Sequence, residues 1–176
     1  PADIKARGES LQTAYAGNSN AAKVAAMADL WDGGSTPDQR RSALVLTARA
    51  AALIAPSEDH AGEADRLIAS MLSAGFDEQA VRWASIVDGG TLGWGLLSGA
   101  APEWGGATRE GELDDFRGND DSADYRKSKF LLAGLAGLGR AEAATITDFS
   151  ETLEVNVRKE SRWSRAIAAA AQRGES

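Results

Sequence analysis

The chain has 176 residues, no cysteine, 43% apolar and 26% charged residues, and a formal charge of -7 with a pI near 4.8. That length makes one domain or two small units sharing a core, and the composition is that of a folded protein. The acidic balance disfavours nucleic acid as the main partner, no apolar run approaches the ~18 residues of a membrane span, and the lack of cysteine excludes disulfides, thiolate nucleophiles and cysteine-ligated zinc.

Thirty-five alanines against four prolines favour helices, because alanine loses no side-chain entropy on entering one. The absence of cysteine fits the cytoplasm or the periplasm equally. The first residue is Pro1 rather than Met, which predicts processing or excision from a longer chain.

Ala2 to Ala16 reads as a helix carrying Ile4, Gly8, Leu11 and Tyr15 at helical spacing, closed by Gly17-Asn18. Ser19 or Asn20 caps the next helix, whose stripe is Val24, Met27, Ala28 and Trp31 and whose end is Gly33-Gly34. Thr36 then opens a third helix. Thr36 and Gln39 have capping-box spacing and Pro37 occupies the first helical position. This helix is apolar nearly all round, with Leu46, Ala50, Leu53 and Ile54 on one face, and such a helix is expected to be central.

Pro56 ends it. Gly62 to Ala74 is amphipathic through Leu67, Ile68 and Met71, and Gly75-Phe76 predicts a Schellman stop with Phe76 folding back towards Met71. Asp77 caps a further helix bearing Val81, Trp83 and Val87. Thr91 to Gly99 is a short glycine-rich helix, and 103–121 reads as an acidic loop. Ala141 to Arg173 lacks Gly and Pro, with a break expected around 156–161.

An internal echo links two of these segments. Thr36 to Leu53 is matched 86 residues later by Ser122 to Gly139, with Asp38, Arg40, Ser42, Leu46 and Ala50 equivalent to Asp124, Arg126, Ser128, Leu132 and Ala136. Arg82-Trp83 and Arg162-Trp163 stand 80 residues apart, either a weaker extension of the echo or a chance pair. The expectation is one all-α domain over 1–176, built from two related three-helix units. The helices are placed near 36–54, 62–74 and 77–88, then near 122–138, 141–154 and 160–172. The units, about 36–100 and 122–176, are joined by a Gly-rich and acidic linker at 101–121.

The phrase LLAGLAGLGRAEAA, residues 131–144, resembles bacterial α-helical repeat proteins of the tetratricopeptide or Sel1-like kind. The likeness covers that small-residue hairpin and, more faintly, 64–84; the period is not ~34 residues and the Trp–Leu–Gly–Tyr pattern is absent. The resemblance implies a right-handed array of seven to nine antiparallel helices that acts as a scaffold for proteins or peptides.

Little in the sequence carries chemistry. His60, the single histidine, stands three residues before Glu63 and beside Glu58 and Asp59. This is either half of a metal or general-base site or, more simply, acids complementing a helix start. Glu110 to Asp124 holds seven carboxylates without the EF-hand order of ligands. Trp31, Trp83 and Trp163 fall on apolar stripes, whereas Trp94 and Trp104 stand among glycines and either line a groove or seal a joint between units. The expected function is therefore non-enzymatic protein or peptide binding, with no cofactor. Candidate contact residues are Trp94 and Trp104 with Asp114, Asp115, Asp120 and Asp121, which would favour a basic partner. The alternative is an α-helical hydrolase or metal-dependent enzyme using His60, Glu63 and the acidic carboxylates.

Overall fold

The computed structural model describes residues 2–100, 110–155, 162, 165, 166 and 169. Among these the chain is all-α, with nine α-helices, three short 3-10 segments and no strand. Most of the expected third helix near 160–172, including Trp163, and the 101–109 part of the linker with Trp104 lie outside the described residues.

The helices are α1 (Ala2–Ala16), α2 (Asn20–Asp32), α3 (Pro37–Ala52), α4 (Ala64–Leu72), α5 (Asp77–Val81), α6 (Leu92–Ala100), α7 (Glu110–Gly118), α8 (Arg126–Leu138) and α9 (Ala143–Thr152). Two compact units divide them: Pro1–Val87 and Asp88–Ser176.

In the first unit α1 packs on α2, α2 on α3, and α3 on α4. The helix ends follow from local chemistry. Ser19 Oγ accepts the Ala22 N–H and Thr36 Oγ1 accepts the Gln39 N–H, each satisfying a donor that the first turn leaves unpaired. Gln39 reaches back to the Ser35 N–H at 2.9 Å, one residue before the cap. Gly75 adopts φ +76°, and the Phe76 N–H donates to Met71 O at 3.0 Å, which completes the expected Schellman turn. Asp77 is not a cap: it is the first helical residue, and Phe76 holds the cap position without a side-chain bond.

The core of this unit is Val24, Met27, Trp31, Leu67, Ile68, Met71 and Trp83 with the alanines of α3. The burial of α3 overturns the expectation of a central helix. Ala43, Thr47, Ala48, Ala50 and Ala51 face inward, but Val45, Leu46 and Leu53 are 45%, 57% and 69% exposed. Small side chains let α3 lie close to α2 and α4, so the alanine face wins the contact and the larger residues are left outside.

In the second unit α6, α7 and α9 each pack on α8. Part of the expected acidic loop is helical: α7 presents Leu113 and Phe116 to the core at 3% and 7% exposure. This helix docks on the glycine-rich segment. A Cβ on Gly95 would stand 2.5 Å from the Phe116 ring, and one on Gly90, whose φ is +80°, would stand 2.4 Å from Asp115 Cβ. Only glycine allows that approach. The Asn119 amide closes the joint by donating to Gly90 O at 3.2 Å. The second compact unit begins at Asp88, and within it α6 packs on α8.

The α8 helix starts at Arg126, four residues later than expected, because Asp124 and Tyr125 take left-handed φ values of 58° and 49°. It ends at Gly139, where the Arg140 N–H donates to Leu135 O at 2.9 Å. The echo residues of α3 and α8 share burial only at their polar starts, where both aspartates and both arginines are exposed. Leu46 is 57% exposed and its match Leu132 is 0% exposed; Ser42 is exposed and Ser128 is buried.

Candidate functional site

The residues singled out in the sequence are mostly used by the fold itself. Trp94 is 3% exposed, with its ring 6.1 Å from Phe116 at a tilted angle. Of the two readings left open for it, groove lining or burial, the side chain takes burial: it is a core residue of the second unit, placed by the Thr91 cap of α6, whose Oγ1 accepts the Trp94 N–H at 3.3 Å. The Ser98 hydroxyl behind it donates to Trp94 O at 2.8 Å.

The acidic residues are spent largely within their own segment. Asp114 pairs with Arg117 at 3.3 Å, Asp121 with Lys127, and Asp124 with Lys129 at 2.7 Å. The Asp115 backbone and Cβ press on Gly90. Asp120 accepts the N–H and hydroxyl groups of both Ser122 and Ser128, and thereby organises the turn into α8. Burial alone would raise the Asp120 pKa, but those four bonds outweigh it and hold the carboxyl far below the ordinary range. For Asp121 the Lys127 hydrogen bond, and then its charge, act in the same direction.

His60 lies in an open groove of about 720 Å³ between α2 and the 3-10 segment Glu58–Glu63, with Asp59, Glu63 and the alanines of α2 on its walls. Ser57 Oγ caps that segment by accepting the Asp59 N–H at 3.2 Å. Glu63 is turned towards Arg66: its Oε2 is shielded from solvent 3.2 Å from Arg66 Nη1, an ion pair without hydrogen-bond geometry. Arg66 is in turn committed to Asp32 at 2.8 Å, to Ala28 O at 3.2 Å, and to the face of Trp31 at 4.8 Å from the ring centre. Among the described residues the His60 imidazole takes part in no hydrogen bond or ion pair, its backbone N–H donating to Ser57 O at 3.0 Å, and no three His, Asp or Glu side chains converge as a metal site. The groove thus brings His60 and Glu63 together without giving either the partner that acid-base chemistry needs.

Beneath it lies a polar network that the sequence did not announce. Trp31 Nε1 donates to Thr47 Oγ1 at 2.9 Å, Thr47 and Ser70 hydroxyls stand 3.0 Å apart, and Ser70 Oγ donates to Leu44 O at 2.8 Å. Thr47 and Ser70 are fully buried. These bonds tie α2, α3 and α4 together, and the one signal for them was two hydroxyl residues inside apolar stripes.

In the first unit the exposed large apolar side chains lie on α1 and α3 or, for Leu53, at the end of α3; Leu92, Tyr125 and Phe130 are exposed in the second. Ile4, Tyr15, Leu46 and Leu53 are 67%, 41%, 57% and 69% exposed. Ile4, Gly8, Leu11 and Tyr15 follow one another at intervals of four, three and four residues, so they form one stripe of α1. The Tyr15 hydroxyl donates to Leu46 O at 2.8 Å and pins that stripe against α3. Between the helices is a socket of about 160 Å³ with Leu30 and Ala43 at its floor side and Arg7, Gly8, Leu11 and Leu46 around it. The sequence showed the stripe without saying what covers it.

The class defined by these features is an all-α protein with a solvent-facing apolar helix pair. No family model, curated protein or solved structure matches the chain.

Proposed function

We propose that this chain is a non-enzymatic helical domain that binds a protein segment on the outer face of α1 and α3. The observation that carries the reading is that Ile4, Leu46 and Leu53, each more than half exposed, lie on two helices that pack on each other. Isolated exposed leucines are ordinary on protein surfaces, but several large apolar side chains left outside on a helix pair that also carries a socket suggest a docking surface. The partner lays a helix along the exposed side of α1 and α3, opposite the side that α2 covers, in the helix-in-groove mode. A catalytic reading of the His60 groove has less support, because Glu63 is held by Arg66 and no nucleophile, base and orienter converge.

The solenoid-like array of two related units remains the proposed architecture on the strength of the 86-residue echo alone. The opposite burial of Leu46 and Leu132 weighs against it.

A photo-crosslinking amino acid placed at Leu53 of the full chain in its native host tests the interaction reading. The expected result is a discrete adduct with another polypeptide at position 53 and none at the exposed control position Glu78. Equal labelling at both positions, or none at 53, removes the proposal.

A further inference from the structure

We infer that the α1–α3 face takes an acidic amphipathic helix whose one large apolar side chain enters the socket beside Gly8. The inference rests on the interaction reading above and adds the chemistry of the partner.

The socket comes first. Gly8 occurs inside α1, where glycine costs roughly 0.5–1 kcal/mol relative to alanine, and a Cβ there would meet nothing within 4 Å. No close helix contact therefore requires glycine at this place. What the missing side chain creates is depth: the cavity of about 160 Å³ between Gly8, Leu30, Ala43 and Leu46. Space of ~150 Å³ holds a benzene-sized group, which makes this a seat for one Leu, Met or Phe side chain. A single well-seated apolar anchor is the usual centre of a helix-in-groove contact.

Charge then selects the partner. The whole chain carries -7, yet the charged groups in the middle of this face are both cationic. Arg7 stands on the rim of the socket, and Arg49 lies between Leu46 and Leu53 on the exposed side of α3. Neither guanidinium forms a hydrogen bond or ion pair among the described residues. The other charges nearby do not neutralise them. Lys5 and Glu9 pair with each other at 3.6 Å on the side of α1 away from Arg7 and do not line the socket, and Asp38 stands at the first turn of α3, eleven residues before Arg49. An incoming helix that places carboxylates on either side of its anchor meets Arg7 and Arg49; a second copy of this face would meet like charge.

The experiment is selection of a phage-displayed library of amphipathic helical peptides, with anchor and flanking positions randomised, on the full chain. Winning peptides are resynthesised and titrated by fluorescence polarisation. The expected consensus has one Leu, Met or Phe anchor with Asp or Glu around it. Leu46→Glu with Leu53→Glu should abolish binding, and Arg7→Glu with Arg49→Glu should weaken it at least ~10-fold and lessen its salt dependence. Gly8→Leu should fill the socket and weaken binding by ~10-fold or more while raising helix stability, because leucine is the better helix former.

Peptides that need Leu46 and Leu53 but are neutral or basic overturn the charge assignment and leave the interaction reading standing. Unchanged binding to the Gly8→Leu chain overturns the socket. Failure to select any peptide sensitive to Leu46 and Leu53 overturns both readings. A concentration-dependent dimer in sedimentation equilibrium that Leu46→Glu dissociates assigns the face to a second copy and likewise overturns the inference.

Discussion

The Asp120 carboxylate holds the start of α8 through Ser128: its Oδ2 accepts the Ser128 N–H at 2.8 Å and the Ser128 hydroxyl at 2.7 Å. Its Oδ1 accepts the Ser122 N–H at 2.9 Å and the Ser122 hydroxyl as well. One carboxylate thus fixes both sides of the turn that carries the left-handed Asp124 and Tyr125.

Asp120→Ala is expected to lower stability by about 2 kcal/mol, the scale of hydrogen bonds to a charged group. The pH dependence has a definite sign. The folded pKa of Asp120 is depressed, so its contribution is fully present above the unfolded carboxyl pKa of ~3.9 and is lost as pH falls towards the folded value. Urea denaturation of wild type and Asp120→Ala at pH 7 and pH 3 should show the difference between them shrinking at the lower pH. A constant difference would deny the carboxylate this role.

The close approach of α7 to α6 makes a second forecast. Gly95→Ala places a methyl group 2.5 Å from the buried Phe116 ring and should cost ~1–3 kcal/mol. Gly111→Ala, in the same unit and with nothing within 4 Å of the added atom, should be neutral or stabilising by up to ~1 kcal/mol. Chemical denaturation of the two variants gives opposite signs if α7 docks as described.

Thr47 is the hub of the buried network, and its replacement separates shape from hydrogen bonding. Thr47→Val keeps the volume but leaves Trp31 Nε1 without its acceptor, at a cost of ~1–3 kcal/mol. Thr47→Ser keeps the acceptor, so indole N–H exchange at Trp31 should remain slow in that variant and quicken in Thr47→Val.

The end of α9 contains a correctable strain. Glu154 takes φ 54°, and the Val155 N–H donates to Ser150 O at 2.8 Å, so Glu154 stands where such turns ordinarily carry glycine. Glu154→Gly should raise stability by about 1 kcal/mol, seen as a higher melting temperature. A fall would mean that the left-handed turn is not kept in solution.

Helix ends were readable from the sequence because they are decided locally. Ser19, Thr36, Gly75 and Gly139 each satisfy or release backbone groups within a few residues of themselves, and the structure puts helix boundaries at all four. Where a helix end departs from the sequence pattern, as at Glu154, the left-handed residue lacks glycine's signature and so gave no warning. The candidate site was less legible. Ile4, Gly8, Leu11 and Tyr15 form a visible stripe, and Arg7 and Arg49 are visible as charges, but nothing in their spacing says whether another helix covers them.

Burial was decided by tertiary structure. Leu46 and Leu132 occupy matching places in the echo, yet one is exposed and the other enclosed, because α3 turns its alanines to α2 and α4 while α8 is surrounded by α6, α7 and α9. Leu113 and Phe116 likewise became core only because Gly90 and Gly95 leave room for them across the joint. A sequence fixes which residues gain by leaving water; which of them do so depends on the neighbour that packs closest, and packing is a property of the pair.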